Sequence, residues 1–294
     1  MGWIPGSCRV ALFAVVLGMA SPVLADGAKH TFWAVKGQYN TVYLFGSVHV
    51  LKAADHQLPA EALRAYAGAG ALVMEIDLND AGAEGLSSAS LEGQMLPEGQ
   101  TLSAALGPSA YATLQSHLQP LGLDAALFSQ MQPWVVAITV EQLELERLGF
   151  DADSGVEMQF TRRAQADHKP IIALETAAEQ LRIFSGLSPD QQRHFLLYCL
   201  EDSADAGKDM DAIVAAWQRG DTAQLERLLG EGFAKFPELY RLLTTDRNRR
   251  WLPRIETMLH DTKDYLVIVG ALHLVGSDGL VALLDGHGFK VVQQ

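Results

Sequence analysis

Cysteine is nearly absent: the 294-residue chain has two. Cys8 lies in the leading segment, and Cys199 stands alone in the apolar stretch Phe195 to Leu200. A lone cysteine closes no internal disulfide, so the fold must rest on its core, and Cys199 reads as a small apolar residue rather than a nucleophile. Positive charge is also scarce. Against 35 Asp and Glu there are 22 Lys and Arg, a formal net charge of −13. That balance excludes the clustered cationic surface that phosphate backbones require, so no nucleic-acid partner is expected. The one basic cluster, Arg247, Arg249 and Arg250, is short and embedded in a helical pattern. There is no tandem repeat and no low-complexity tract. The apolar run Val10 to Ala20 is too short to span a bilayer comfortably.

What is there begins with that run. Arg9 is the only charge before Asp26, Pro22 follows the apolar stretch, and Val23-Leu24-Ala25 offers small residues where signal peptidase needs them. Residues 1–25 therefore read as a signal peptide cleaved after Ala25, which makes the protein periplasmic or secreted, with no stable membrane insertion afterwards. Removing 25 residues from 294 leaves 269, takes away one arginine and moves the net charge from −13 to −14. A chain of that length buries a large core. Residues 26–294 are expected to form a single domain.

Strands are expected at both ends of this domain. Thr31 to Val35 and Thr41 to Phe45 flank the turn-forming Gly37-Gln38-Tyr39-Asn40 and read as a hairpin. Ala71 to Ile76 and Tyr265 to Val269 are short continuous apolar runs, as suits strands buried on both faces. Pro170 to Ala173 and Phe289 to Val292 are weaker strands. Helical periodicity covers Ala60–Ala69, Ser109–Leu118, Pro133–Leu148, Gly155–Ala166, Pro189–Leu200, Asp205–Gln218, Thr222–Leu229 and Arg249–Leu259. Asp80 to Gln100, rich in Gly, Ser and Ala, reads as a loop. The pattern predicts an α/β (α+β) fold, with a central mixed sheet built by strands from both ends and a mainly helical insertion over about 84–262.

One internal echo carries chemistry. Tyr43-Leu44-Phe45-Gly46-Ser47-Val48-His49 and Tyr265-Leu266 through Gly270-Ala271-Leu272-His273 are both a strand followed by Gly-x-x-His. A glycine at a strand end permits a sharp turn and close approach to the backbone. In open α/β sheets ligands bind beyond the carboxyl ends of the strands. Glu75 ends a third strand, and two imidazoles with a carboxylate suit zinc, manganese, iron or cobalt. A single strand-end histidine is commonly structural, but two copies with a strand-end glutamate point to a site of His49, Glu75 and His273. Asp77, on the same strand face as Glu75, is either near that site or a solvated strand end. Ser47 has no Gly-x-Ser-x-Gly elbow around it, which disfavours a serine hydrolase.

The wider sequence resembles the TraB/GumN family. "VYLFGSVHVL" at 42–51, "ALVMEIDL" at 71–78, "DSGVEMQF" at 153–160, "KPIIALETAAEQL" at 169–181, "DRNRRWLPRIETML" at 246–259 and "YLVIVGALHLVGSDGLVALLDGHGFKV" at 265–291 look like its landmarks. That family includes the Tiki metalloproteases and is distantly similar to haem-binding ChaN-like proteins and erythromycin esterases. The resemblance implies site roles for His49, Glu75 and His273. It implies for Glu157 either a further metal ligand or a carboxylate favoured by a helix amino terminus. For Arg247 and Asn248 it implies a place facing the pocket. There Arg247 either steadies an oxyanion or substrate carboxylate, or pairs with Asp246 or Glu256. Glu175 is a candidate for the site's surroundings. The implied function is a metal-dependent hydrolase of peptide or other acyl bonds in the cell envelope, using manganese, cobalt, zinc or iron, with Glu75 or His49 as base. The alternatives are an envelope protein that sequesters a peptide or haem without chemistry, and an accessory factor for polysaccharide export. Either a peptide or a small molecule is the expected partner.

Overall fold

The computed structural model describes residues 29–79, 93–202 and 206–294. The expected signal peptide, residues 1–25, and most of the expected Asp80–Gln100 loop lie outside the described residues. Among these residues the strands and helices follow in the order β1 Phe32–Lys36, β2 Thr41–Ser47, β3 Leu51–Lys52, α1 Ala60–Gly68, β4 Ala71–Met74, α2 Leu102–Leu118, α3 Pro133–Arg147, β5 Phe150–Asp151, α4 Val156–Ala166, β6 Ile171–Ala173, α5 Ala177–Ser185, α6 Pro189–Asp202, α7 Ala206–Gln218, α8 Thr222–Glu231, α9 Pro237–Tyr240, α10 Asp246–Leu259, β7 Tyr265–Gly270, α11 Leu280–Gly286 and β8 Val291–Gln293. Among the described residues no helix is long and apolar enough to cross a membrane.

The main sheet has the order β6-β4-β7-β2-β1-β8. Its first four strands run parallel, with Leu72 opposite both Ile171 and Leu266, and Phe45 opposite Ile268. The β1–β2 hairpin is antiparallel, with Phe32 opposite Phe45, and β8 closes the edge against β1. Strands from both ends of the chain thus meet in one mixed sheet, as expected. The parallel order puts the carboxyl ends of β6, β4, β7 and β2 along a single edge.

Alternation sorts the strand side chains onto two covered faces. Phe45, Leu72, Met74, Leu266 and Ile268 pack with Tyr66, Phe160 and Trp217. Leu44, Val73, Val267 and Val269 pack with Trp251, Leu252 and Ile255. A separate helical core joins Leu102, Leu114, Val136, Val140, Leu196 and Leu200. Each fully buried aliphatic side chain contributes roughly 1.5–3 kcal/mol.

Several features differ from the sequence expectation, the unexpected helices α9 and α11 among them. An unexpected helical stretch from Leu102 precedes the helix expected from Ser109, and the two meet at a kink at Gly107-Pro108, where Gly107 takes the non-helical φ of 76°. Helix α5 was not expected, although Thr176 and Glu179 form a complete capping box that signals its start. A π-helical turn over Arg241–Thr245 runs into α10. The short strands β3 and β5 form a second, two-stranded sheet.

Candidate active site at the carboxyl edge of the parallel strands

Each site residue is delivered by the end of a strand or by a helix packed on that edge. Glu75 follows β4, Glu175 follows β6, and the two are tied by the Glu175 N–H donating to the Glu75 carbonyl at 2.9 Å. His273 lies in a single 3₁₀ turn after β7. His49 follows β2. Helix α4 is pressed onto that loop: the Val156 N–H donates to the Val48 carbonyl at 3.2 Å. A Cβ added at Gly155 would lie 2.0 Å from the His49 carbonyl oxygen, so only glycine allows the approach. This contact brings Glu157, in the first turn of α4, to His49.

The inner half of the site is centred on Arg247 of α10. Its Nε donates to Glu175 Oε1 at 2.9 Å, and its Nη2 to the same oxygen at 2.5 Å. Nη2 also donates to Glu75 Oε2. Nη1 donates to the Leu243 carbonyl and to His273 Nε2, both at 2.9 Å. All five guanidinium N–H groups are engaged by the protein itself. The guanidinium also stacks on Trp251, 4.6 Å from the ring centroid. The pairing with Asp246 or Glu256 offered by the sequence is not made: Asp246 binds Arg241, and Glu256 binds His287.

His273 has a defined tautomer. Asn248, fully buried, donates its Nδ2 to the His273 and Asp278 carbonyls at 3.1 and 2.8 Å. Its Oδ1 therefore faces His273 Nδ1, at 2.7 Å, and must accept from it. The proton sits on Nδ1, and Nε2 is the acceptor for Arg247. Burial pulls the His273 pKa down to about 3, with Arg247 and His49 adding to the effect, so the ring is neutral near pH 7.

The outer half faces solvent. Glu157 Oε1 accepts from the Ser47 hydroxyl and lies 2.7 Å from His49 Nδ1. That carboxylate raises the His49 pKa to about 9, with Glu75 adding to the pull. The His49 side chain is 68% exposed, so water screens part of the attraction. For Glu157 burial works upward, but His49 and the two hydrogen bonds outweigh it and hold the carboxyl below its usual range. Burial also works to raise Glu75. The positive charges of its basic neighbours, Arg247 among them, and the Gly270 N–H, donating at 2.7 Å, outweigh it and bring the pKa to about 2. Burial does win at Glu175, whose pKa is raised despite Arg247.

His49, Glu75 and Glu157 line a cleft of about 320 Å³ with Met74, Ile76, Leu78, Ala152, Met158 and Gln180. Gln180, delivered by α5, donates to Glu75 Oε2 at 3.2 Å. An added Cβ at Gly270 would lie 3.4 Å from both Glu75 Oε1 and His49 Nε2, so those two atoms converge on the face of a bare glycine. Asp77, on the strand exit, instead caps its own turn by accepting from the Asn79 N–H at 2.9 Å.

His49, Glu75, His273, Glu157, Arg247, Asn248 and Glu175 thus come together in one cluster in two tiers. Ser47, Gln180 and Trp251 join it without having been singled out as site residues by sequence reasoning; the Thr176-x-x-Glu179 box was the one signal that would have found the helix bearing Gln180. Among the described residues no group of three or more His, Cys, Asp or Glu side chains is assembled to hold an ion. Arg247 occupies the free nitrogen of His273 and one oxygen of Glu75. The outer tier is a better match to a cation: Glu157 Oε2 is buried with no hydrogen-bond partner in the described structure, and His49 Nε2 lies over the face of Gly270.

Comparison with known proteins gives this edge a context. The chain is 27% identical to the uncharacterized protein YbaP of Escherichia coli (strain K12) over 242 residues, 82% of this chain and 87% of that one. It is 22% identical to the metalloprotease TIKI homolog of Nematostella vectensis over 314 residues, covering 88% of this chain and 66% of the other. An uncharacterized protein of Treponema pallidum (strain Nichols) is 24% identical, covering 72% of this chain and 64% of that one. No solved structure matches significantly. The TraB/PrgY/gumN family profile matches residues 31–293. That span runs from the first strand of the sheet to the last and takes in every residue of the two tiers, so the chain belongs to the TraB/PrgY/gumN family.

Proposed function

We propose that the protein is a hydrolase of peptide or other acyl bonds in the cell envelope, assisted by a divalent metal and acting in the cleft between His49 and Glu75. The observation that carries this reading is the pair His49 Nε2 and Glu75 Oε1 converging on the face of Gly270. The likeness to a protein named as a metalloprotease TIKI homolog supports it.

The residues nearest to a donor set for an ion are His49, Glu75 and Glu157, although the described structure does not assemble the three to hold one. His273 fits less well, because its Nε2 accepts from Arg247. Carboxylates that hold a proton on His49 favour a cation in the same place, and binding would release that proton. Manganese, cobalt, zinc and iron all accept such a donor set. When bound, the ion would acidify water and polarise a carbonyl. Glu75, ionised near neutrality, accepts a proton from water, and a carboxyl with a pKa of about 2 needs that water to be acidified. Glu157 and Ser47 fix the His49 ring. Arg247 has no free N–H for an oxyanion, so it and Asn248 serve as positioning residues: Arg247 orients Glu75, and Asn248 sets the His273 tautomer.

The test uses the exported mature protein, loaded with Mn, Co, Zn or Fe in turn. Metal content is measured together with hydrolysis of casein and of fluorogenic peptides and esters. Activity with at least one metal is expected, lost by 10²-fold or more on His49→Ala or Glu75→Gln and retained in His168→Ala. Hydrolysis of nothing under any metal would sink the reading and leave the role of a ligand-sequestering protein.

A further inference from the structure

The cleft has a wall that the chemistry above does not use. Met74, Ile76, Leu78, Ala152 and Met158 line it beside the charged groups. They come from two segments far apart in sequence, the exit of β4 and the approach to α4, and the structure fastens these segments together. Gln165 of α4 donates to Asn79 Oδ1, and Asn79 is tied in turn to Asp77 at 2.9 Å. At the back of the wall the Thr161 hydroxyl donates to the Met74 sulfur at 3.6 Å, and Met74 is almost fully buried. Met158 sits at the front, half-buried in the first turn of α4, one residue after Glu157. It is an unbranched, polarisable side chain that adapts its shape to what it meets.

We infer that this wall is a preformed subsite for an uncharged, large aliphatic or thioether side chain of a peptide substrate, and that Met158 is its specificity-determining residue. The inference rests on the hydrolase reading for the word substrate, but the subsite can be tested without hydrolysis. Two arguments select the occupant. An apolar side chain removes the exposed faces of Ile76, Leu78 and Met158 from water, a gain a polar side chain does not bring. Glu75 and Glu157 are already paired with Arg247 and His49, so a charged side chain entering the cleft would lose hydration without gaining an unpaired counter-ion.

The test is a series of fluorescein-labelled hexapeptides with Leu, Met, Ser, Asp or Lys at one varied position. Binding is read by anisotropy on the His49→Ala variant, whose mutated side chain is exposed in the wild type and whose loss leaves the wall intact. Leu and Met peptides are expected to bind about tenfold or more tightly than Ser and Asp peptides. Met158→Leu should keep the preference and Met158→Asp should erase it. The latter introduces an acid into the first turn of a helix, where the fold tolerates it, and circular dichroism checks that it does. Equal binding across the series, or a preference unchanged by Met158→Asp, overturns the inference. The same peptides given to the wild type separate the two readings. Cleavage without side-chain preference defeats the subsite alone. No cleavage under any metal, with apolar preference retained in binding, defeats the hydrolase and leaves a peptide-binding cleft.

Discussion

Arg247 Nη2 donates to Glu75 Oε2 across 172 residues of sequence, with both side chains buried. The same guanidinium holds Glu175, so one cation neutralises two carboxylates that desolvation would otherwise make costly. Arg247→Ala should therefore destabilise the protein by roughly 3–5 kcal/mol, the usual penalty for leaving a buried charge without its partner. Arg247→Lys should recover only part of this, since an ammonium cannot reproduce the planar fork. Urea unfolding at neutral pH measures both, and a loss below about 1 kcal/mol for the alanine variant would show that other contacts hold the inner tier.

Stability should fall on both sides of neutrality, for different reasons. Glu75 has a depressed folded pKa of about 2 against 4.5 unfolded. Its contribution is present above 4.5 and is lost as pH drops toward 2. His273, depressed to about 3 from 6.5, takes up its proton more readily when unfolded, so stability also drains as pH falls from 6.5 toward 3. His49 is raised from 6.5 to about 9. Its contribution is full below 6.5 and is lost as pH rises through 9. Glu157→Gln should remove that alkaline decline and Glu157's own share of the acid limb, while leaving the part carried by Glu75 and His273. Chemical unfolding from pH 3 to 10 provides the check, and an alkaline limb identical in both proteins would contradict the His49–Glu157 assignment.

How much of this was legible in sequence follows from the range of each interaction. The strands showed themselves because buried parallel strands are continuous apolar runs, and the Gly-x-x-His echo marked two strand ends that the sheet makes neighbours. Glu75 was legible for the same reason. The partners of Arg247 were not. Sequence offered Asp246 and Glu256 as local choices, whereas the partners, Glu75 and Glu175, lie 172 and 72 residues away and meet it only through the sheet order. The Leu243 carbonyl that accepts from Arg247 lies in the π turn over Arg241–Thr245, and the sequence of that turn, RLLTT, carries no breaker to announce it. Local chemistry was readable where a motif encodes it, as in the Thr176–Glu179 box. Convergence of distant side chains was not.

Asn248 provides a test of the tautomer. It is fully buried and engages both Nδ1 and the carbonyl of His273. Asn248→Ala should cost about 1–3 kcal/mol for the polar groups it leaves unsatisfied. The ring's Nδ1 proton then loses its acceptor. Nitrogen-15 chemical shifts of His273 should report a single Nδ1–H tautomer in the wild type and a mixture in the variant. A mixture already present in the wild type would mean that Arg247 does not claim Nε2 as the structure has it.

The two motif glycines should behave oppositely. A Cβ at Gly46 would lie 2.6 Å from Thr31 Cγ2 and 3.2 Å from Ala271 Cα. Gly46→Ala therefore overpacks the core, costing roughly 1–3 kcal/mol. Gly270 has φ −49° and ψ 139°, which alanine adopts freely, and its added Cβ would stop 3.4 Å from Glu75 Oε1 and His49 Nε2. Gly270→Ala should keep stability within about 1 kcal/mol of the wild type, since a tolerated Gly→Ala change mostly restricts the unfolded chain. The new methyl occupies the space between the two groups assigned to water activation, so hydrolysis and metal uptake should both fall by tenfold or more while circular dichroism and the unfolding midpoint barely move. Full activity in a well-folded Gly270→Ala protein would mean that the chemistry is not done above this glycine, and the His49–Glu75 pair would lose its assigned role.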